Sequence, residues 1–286
     1  MDRILVIGGT GNIGRHVVTE LSTGGTRVRV MVRDPDTAEL PPQVEVSRGD
    51  LTHPDTLAES LRGVASVFLV WTAPPAAAAP ALECITRQAR RVVYLSAPLK
   101  TAHPFFQASL PNPSSVLHEE VEGLIQKSGV EWTFLRPGML ASNALAWWAP
   151  QIRTGDVVRW PYLAAPTAPI DERDVASVAV RALLGDGHAR AEYVLTGPQS
   201  LSQLEQVSTI GRSIGRSLRV EEMSAEDARR EWTPTWPAPV VDMLLKSWAA
   251  AIGQPAYVTR TVVEVTGTSA RTFFDWASDH VRAFRP

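Results

Sequence analysis

The stretch Gly8, Gly9, Thr10, Gly11, Asn12, Ile13 and Gly14 constrains this chain more than any other, because of what flanks it. Arg3 to Ile7 is a short apolar run of the kind buried on both faces of a parallel sheet, and Arg15 to Ser22 has helical spacing. A glycine at the strand end permits the tight turn, Gly11 lets backbone approach a ligand without an intruding Cβ, and Gly14 lets helix and strand pack closely. The helix N-terminus then offers unpaired N–H groups and a positive dipole end to a pyrophosphate. The alternative is a tight turn that holds no ligand.

The rest of the first half repeats this unit. Further strands are expected at 27–32, 44–46, 67–70, 91–95 and 132–135, with helices at 54–61, 82–89 and 114–128. Alternation of this kind implies a Rossmann-like, doubly wound parallel α/β sheet. Beyond about residue 145 the character changes, with tryptophans at 147, 148, 160, 232, 236 and 248 and prolines clustered at 161–169 and 234–239. We expect residues 1–145 to form a dinucleotide domain, with 171–197 returning to it. Residues 146–170 and 198–286 are expected to form a smaller, mostly C-terminal α/β substrate lobe.

The second strand bears on the choice of dinucleotide. An acidic residue at its end would accept a hydrogen bond from the ribose 2′-hydroxyl of NAD(H). The strand ends instead on Arg33, which can pair with a 2′-phosphate, so NADP(H) is favoured over NAD(H). Asp34 comes one residue late and is expected to turn away. Asp50 and Leu51 follow the third strand, where they would meet the adenine, though Asp50 also suits a turn. Thr72 and Ala73 follow the fourth strand, where the ribose and nicotinamide would lie.

Together these residues resemble the NmrA-like, NAD(P)H-binding group of atypical short-chain dehydrogenase/reductases. The resemblance covers nearly the whole chain and is carried by the glycine turn, Val30 to Arg33, Gly49 to Leu51, Val92 to Ser96, Trp132 to Gly138 and Tyr193 to Gly197. Its most specific piece is SGVEWTFLRPGMLASN. It implies a Rossmann-like core with Pro137 and Gly138 at the cofactor, and a loop from Gly138 to Asn143 bordering the nicotinamide. The group includes reductases of quinones, enones and aromatic natural products, and also members that sense the dinucleotide without turnover.

The family pattern also implies a Tyr and a Lys four residues apart, with a Ser after the fifth strand. Ser96 matches that Ser, but Ser114 and His118 stand where the Tyr and Lys would be. An imidazole at 118 would hydrogen-bond a ribose hydroxyl or relay a proton, or else be a cleft-lining histidine with no chemical role. Ser96 is either a site hydroxyl or one that satisfies backbone. Met139, Leu140, Asn143, Trp147, Trp148 and Trp160 are candidates for a substrate wall, although such tryptophans equally fill a core.

The expected function is an NADPH-dependent reductase acting on a small apolar or aromatic substrate: an unsaturated carbonyl, quinone or imine. Two alternatives stay open: a non-catalytic NADP(H)-binding regulator, and an isomerase, cyclase or lyase on the same fold. A net charge of −2 offers no field for nucleic acid, and no apolar run is long enough for a membrane span. One cysteine, Cys84, and scattered histidines give no disulfide and no metal spacing. We expect a cytoplasmic monomer or homodimer.

Overall fold

The computed structural model describes residues 3–286; residues 1 and 2 of the expected first domain lie outside the described residues. In chain order the strands are β1 (Arg3–Ile7), β2 (Val28–Val32), β3 (Glu45–Arg48), β4 (Val64–Val70), β5 (Arg91–Leu95) and β6 (Glu131–Pro137). They continue with β7 (Val157–Trp160), β8 (Pro166–Thr167), β9 (Ala191–Leu195), β10 (Leu201–Ser202) and β11 (Arg219–Glu222). The principal sheet has the order β3-β2-β1-β4-β5-β6-β9, and every pair in it is parallel. The order reverses between β1 and β4, so a crevice opens beyond the C-terminal ends of those strands, where doubly wound sheets bind ligands.

Strand residues alternate between two cores, as the two-residue period of a strand requires. Ile4, Val6 and Val93 face α1 (Gly14–Thr23) and α8 (Glu172–Leu184). Leu5, Ile7, Val92 and Tyr94 face α2 (Leu57–Leu61), α3 (Ala78–Gln88) and α5 (Pro113–Ser128). The short α4 (Pro104–Gln107) stands in the loop between β5 and α5. The sheet thus carries helices on both faces, and β9 adds its edge strand from well beyond β6 in sequence.

A third core lies apart from the sheet. It gathers α6 (Asn143–Trp147), α7 (Ala149–Thr154), α9 (Gln203–Ile214), α10 (Ala225–Trp232), α11 (Ala238–Ala251) and α13 (Phe273–Asp279) around Trp148, Trp160, Trp248 and Trp276. The small parallel pair β7·β11 and antiparallel pair β8·β10 edge this core, while α12 (Thr261–Thr266) packs on α8. Among the described residues no helix is long and apolar enough to cross a membrane.

Two local expectations need correction, and one stretch left without an assignment forms a helix. β6 does not stop at Leu135 but runs through Arg136 to Pro137, because β9 continues beside it as far as Leu195. β3 begins at Glu45 and extends to Arg48, which pairs in register with Val32. The proline-rich stretch after Trp232 resolves into α11, with Pro239 in the first turn, where the missing N–H costs nothing.

Candidate active site

The glycine turn closes tightly on itself. Gly8 has φ of +89°, a backbone conformation that favours glycine. The Gly11 N–H donates to the Gly8 carbonyl at 3.1 Å. A Cβ on Gly14 would stand 2.1 Å from that same carbonyl oxygen, and one on Gly9 would stand 2.6 Å from Val30 Cγ1. Ile13, buried in the core, is the cap residue of α1 and supplies no side-chain acceptor. The Arg15 and His16 N–H groups turn back onto the Gly11 and Ile13 carbonyls at 3.1 and 3.0 Å, so the Gly14 N–H is the one in the first turn of α1 left without a partner among the described residues. Thr10 and Asn12 are exposed on the turn, and the Asn12 side-chain Oδ1 accepts from the Arg15 guanidinium at 3.0 Å. Arg15 also donates to the Gly11 carbonyl, so a cation stiffens the turn from behind.

At the end of β2 the Arg33 side chain is exposed. Asp34 accepts from the Asp36 backbone N–H at 3.3 Å and lies 3.8 Å from the Arg48 guanidinium, so its carboxylate is engaged beside the strand end. Asp50 accepts from both the N–H and the hydroxyl of Thr52 at 2.8 Å. Those Thr52 contacts, with His53 and Arg33 adding smaller electrostatic help, hold the Asp50 carboxyl below its usual range. Leu51 is 4% exposed and packs into the core beneath the crevice, so no face of it is offered to a ring. Thr72 is exposed, whereas Ala73 is buried and its carbonyl accepts from the Trp71 indole at 2.7 Å, which fixes the loop after β4.

Two of the three family-pattern positions, Ser96 and His118, hydrogen-bond side chains across the face between β5 and α5. Glu122 on α5 and Arg136 on β6 are both buried, and the Arg136 Nη2 to Glu122 Oε2 distance is 2.6 Å. Arg136 also pairs with Glu192 of β9. Ser96 donates its hydroxyl to Glu122 Oε1 at 2.7 Å and is 5% exposed. Its proton is thus committed to a buried carboxylate, a partner that neither the site-hydroxyl nor the backbone reading of Ser96 named. One turn away, His118 Nδ1 lies 2.6 Å from the Tyr94 hydroxyl. Burial, and then the charge of Glu122, push the Tyr94 phenol well above its usual range. Burial pulls the His118 imidazole below its own, against a weaker opposing effect of Glu122.

Beyond β5 and β6 lies a cavity of about 460 Å³. The loop 97–112, the start of α5, the stretch 137–147 and α11 enclose it, with Phe105, Phe106, Met139 and Trp147 among its walls. The Met139 stretch is pinned from below. The Gly138 N–H donates to the Leu195 carbonyl, the Ile170 N–H to the Met139 carbonyl, and the Ser142 N–H to Glu172. Of the expected substrate residues, Met139, Asn143 and Trp147 line the cavity, as do Pro137 and Gly138. Leu140 does not: it bridges to Ile170 and packs against the sheet core. Trp148 and Trp160 do not either, since both are fully buried behind Trp147. Neighbours on a helix point about 100° apart, so Trp147 faces the cavity while Trp148 faces the core.

Residues the sequence did not single out complete the site. Trp236, Val240, Met243 and Leu244 come from α11 and the turn before it. Ser114 also lines the cavity, with its hydroxyl unpaired among the described residues. Strand parity could have found Tyr94, because Val92 and Tyr94 share the face that α5 covers.

Comparison with known proteins gives this geometry a context. Residues 8–186 match the protein family described as NAD(P)H-binding. The chain is 38% identical over 290 residues to (4-alkanoyl-5-oxo-2,5-dihydrofuran-3-yl)methyl phosphate reductase of Streptomyces griseus, covering 99% of each. It is 34% identical to NAD(P)H azoreductase of Xenophilus azovorans, covering 98% of this chain and 99% of the relative. The structure of an NADPH-dependent quinone oxidoreductase from Escherichia coli, complexed with NADPH, shares the fold with a TM-score of 0.79 at 22% identity. That match covers 97% of this chain and 99% of the other.

Proposed function

The chain belongs to the NAD(P)H-binding, NmrA-like atypical short-chain dehydrogenase/reductases and is an NAD(P)H-dependent oxidoreductase, and from that premise we propose that it uses NADPH to reduce an apolar unsaturated carbonyl, quinone or imine. The observation that carries this reading is the apolar cavity at the C-terminal ends of β5 and β6, next to the crevice at the glycine turn. We read residues 1–145 with 171–197 as the cofactor domain, and 146–170 with 198–286 as the lobe that closes the acceptor site.

The residues present fit a dinucleotide. The missing Cβ of Gly14 lets α1 start directly against the Gly8 carbonyl, and the Gly14 N–H and the helix dipole at that start are available to a phosphate. In this reading Gly8 to Gly14 hold the pyrophosphate, and Arg33 meets the 2′-phosphate with Arg48 drawing Asp34 aside. Thr72, Ala73, Pro137 and Gly138 border the nicotinamide end. Bound NADPH supplies hydride from its nicotinamide C4.

The chain's own part is to exclude water, orient the acceptor and supply hydrogen bonds. Met139, Asn143 and Trp147 hold the acceptor. Ser114 donates to its oxygen, and the proton that completes reduction comes from solvent at the cavity mouth. The Tyr94 hydroxyl meets no other partner among the described residues, so in this reading it donates to His118 Nδ1, 2.6 Å away, and leaves the Nε2–H of His118 as a donor. An acceptor that leaves a stabilised anion needs no strong acid, which suits a site where the usual Tyr and Lys are replaced by Ser114 and His118.

The test is NADPH oxidation with a panel of quinones, enones and imines. Consumption with at least one class supports the reading. Tight NADPH binding with no consumption by any acceptor would assign the chain to regulation instead. Product formation without net loss of NADPH would assign it to isomerisation or lysis.

A further inference from the structure

Resting on that reductase reading, we propose that the cavity selects uncharged acceptors and excludes phosphate monoesters. Its apolar wall is interrupted by uncharged groups, the hydroxyls, carboxamides and the indoles of Trp147 and Trp236, and no Lys, Arg or His side chain lines it among the described residues. Lys100 and Lys246 adjoin the lining residues Leu99 and Ser247 in sequence, yet both are exposed and neither reaches the lining.

The helix end that opens on the cavity does not supply the missing charge. At the start of α5, Pro113 has no N–H to give. The Ser115 N–H is taken by the Asn112 side chain at 3.0 Å, and the Val116 N–H by the Asn112 carbonyl at 3.0 Å. That capping box spends the donors which would otherwise attract an anion, and leaves the hydroxyl and N–H of Ser114. The Ser109 and Ser247 hydroxyls lie 3.4 Å apart, so one of the two gives its proton to the other, and both are uncharged. A carbonyl oxygen needs one such donor. A phosphate monoester, with nearly two negative charges and three acceptor oxygens, would lose its water against hydrocarbon with no cation to replace it.

The experiment compares a hydroxymethyl-substituted naphthoquinone with the phosphate monoester of the same compound. Binding of each to the full chain loaded with NADP+ is measured by calorimetry, and turnover of each by NADPH oxidation. We expect the alcohol to bind on the order of a hundredfold tighter, and Ser114→Arg, at an exposed position of the lining, to shrink that ratio. Equal or tighter binding of the ester overturns the proposal, as does failure of both compounds to bind. An ester preference that disappears in Lys100→Gln overturns it too, by placing an anion site at the mouth. If the alcohol is preferred in binding but no acceptor oxidises NADPH, the charge selection stands and the reductase reading falls.

Discussion

His118 Nδ1 and the Tyr94 hydroxyl meet at 2.6 Å, joining α5 to the strand it covers. Tyr94 is fully buried and its phenol is pushed up, so it stays protonated and donates. The imidazole proton then sits on Nε2. Burial holds His118 below the ordinary imidazole value of 6.5. As pH falls below that value, unfolded chains take up a proton that the folded chain refuses, so stability decreases. Thermal unfolding of the wild type should therefore shift downward below pH about 6.5, and His118→Gln should show a shallower shift. It should not abolish the shift, because burial also lowers His16 and His188. Equal slopes in the two proteins would refute the assignment. A His118→Ala variant with wild-type turnover and NADPH affinity would remove any site role for the residue.

The Glu122–Arg136 pair gives a second prediction. Both side chains are buried, and Arg136 reaches Glu192 only at the sheet edge. Glu122→Ala leaves the guanidinium half-paired and should cost about 3–5 kcal/mol in urea unfolding. Ser96→Ala removes one donor to the same carboxylate and should cost about 1 kcal/mol. If both variants were as stable as the wild type, the network would not be holding α5 to β6.

A third concerns the turn. The Cβ of Gly14→Ala would meet the Gly8 carbonyl at 2.1 Å, and backbone cannot swing aside as a side-chain tip can. The turn should open and NADPH binding should weaken at least about tenfold, since the proposed binding mode rests the pyrophosphate on that backbone. Gly123→Ala on α5, where a Cβ meets nothing within 4 Å, is the control that should bind normally. Titration of NADPH by fluorescence checks both.

What could be read in advance follows from the range of each interaction. The strand, turn and helix at the start of the chain are specified by neighbouring residues, and the structure places them at Arg3–Ile7 and Gly14–Thr23. α11 received no assignment because Pro234, Pro237 and Pro239 break the helical pattern at its start, although proline at the first turn is compatible with a helix. Which tryptophan faces the cavity depends on how the lobe packs, so Trp147 and Trp148 could not be told apart by composition. The pairing of Ser96 with Glu122 and of Tyr94 with His118 joins β5 to α5 across the sheet face, a tertiary distance that no local spacing encodes.

Cofactor choice gives a fourth prediction, in which Arg48 matters as well as Arg33. Asp34 near the end of β2 would repel a 2′-phosphate, but it is drawn to the Arg48 guanidinium and the Asp36 N–H. Arg33→Ala should raise the KM for NADPH about tenfold with little effect on NADH, the worth of one charge-assisted contact. Arg48→Ala should move the ratio the same way by freeing Asp34, and Arg48→Ala with Asp34→Ala should recover part of it. Unchanged NADPH-to-NADH ratios in all three would refute both assignments.

The two serines at family-pattern positions, Ser96 and Ser114, separate by where their protons go. Ser96 gives its proton to Glu122, whereas Ser114 lines the cavity with its hydroxyl unpaired among the described residues. A hydrogen bond to an acceptor oxygen that strengthens as that oxygen gains charge is worth about 0.5–1.5 kcal/mol, or roughly two- to tenfold in rate. Ser114→Ala should therefore lower kcat/KM for quinones and enones by that factor and leave urea stability nearly unchanged, as the hydroxyl is not part of the fold's own network. Ser96→Ala should do the reverse, with a measurable loss of stability and a smaller change in kcat/KM. Thr in place of Ser114 keeps the hydroxyl and should recover most of the rate. A stability loss without a rate loss in Ser114→Ala would transfer the oxygen-binding role to another group, with Asn143 the next donor in the lining.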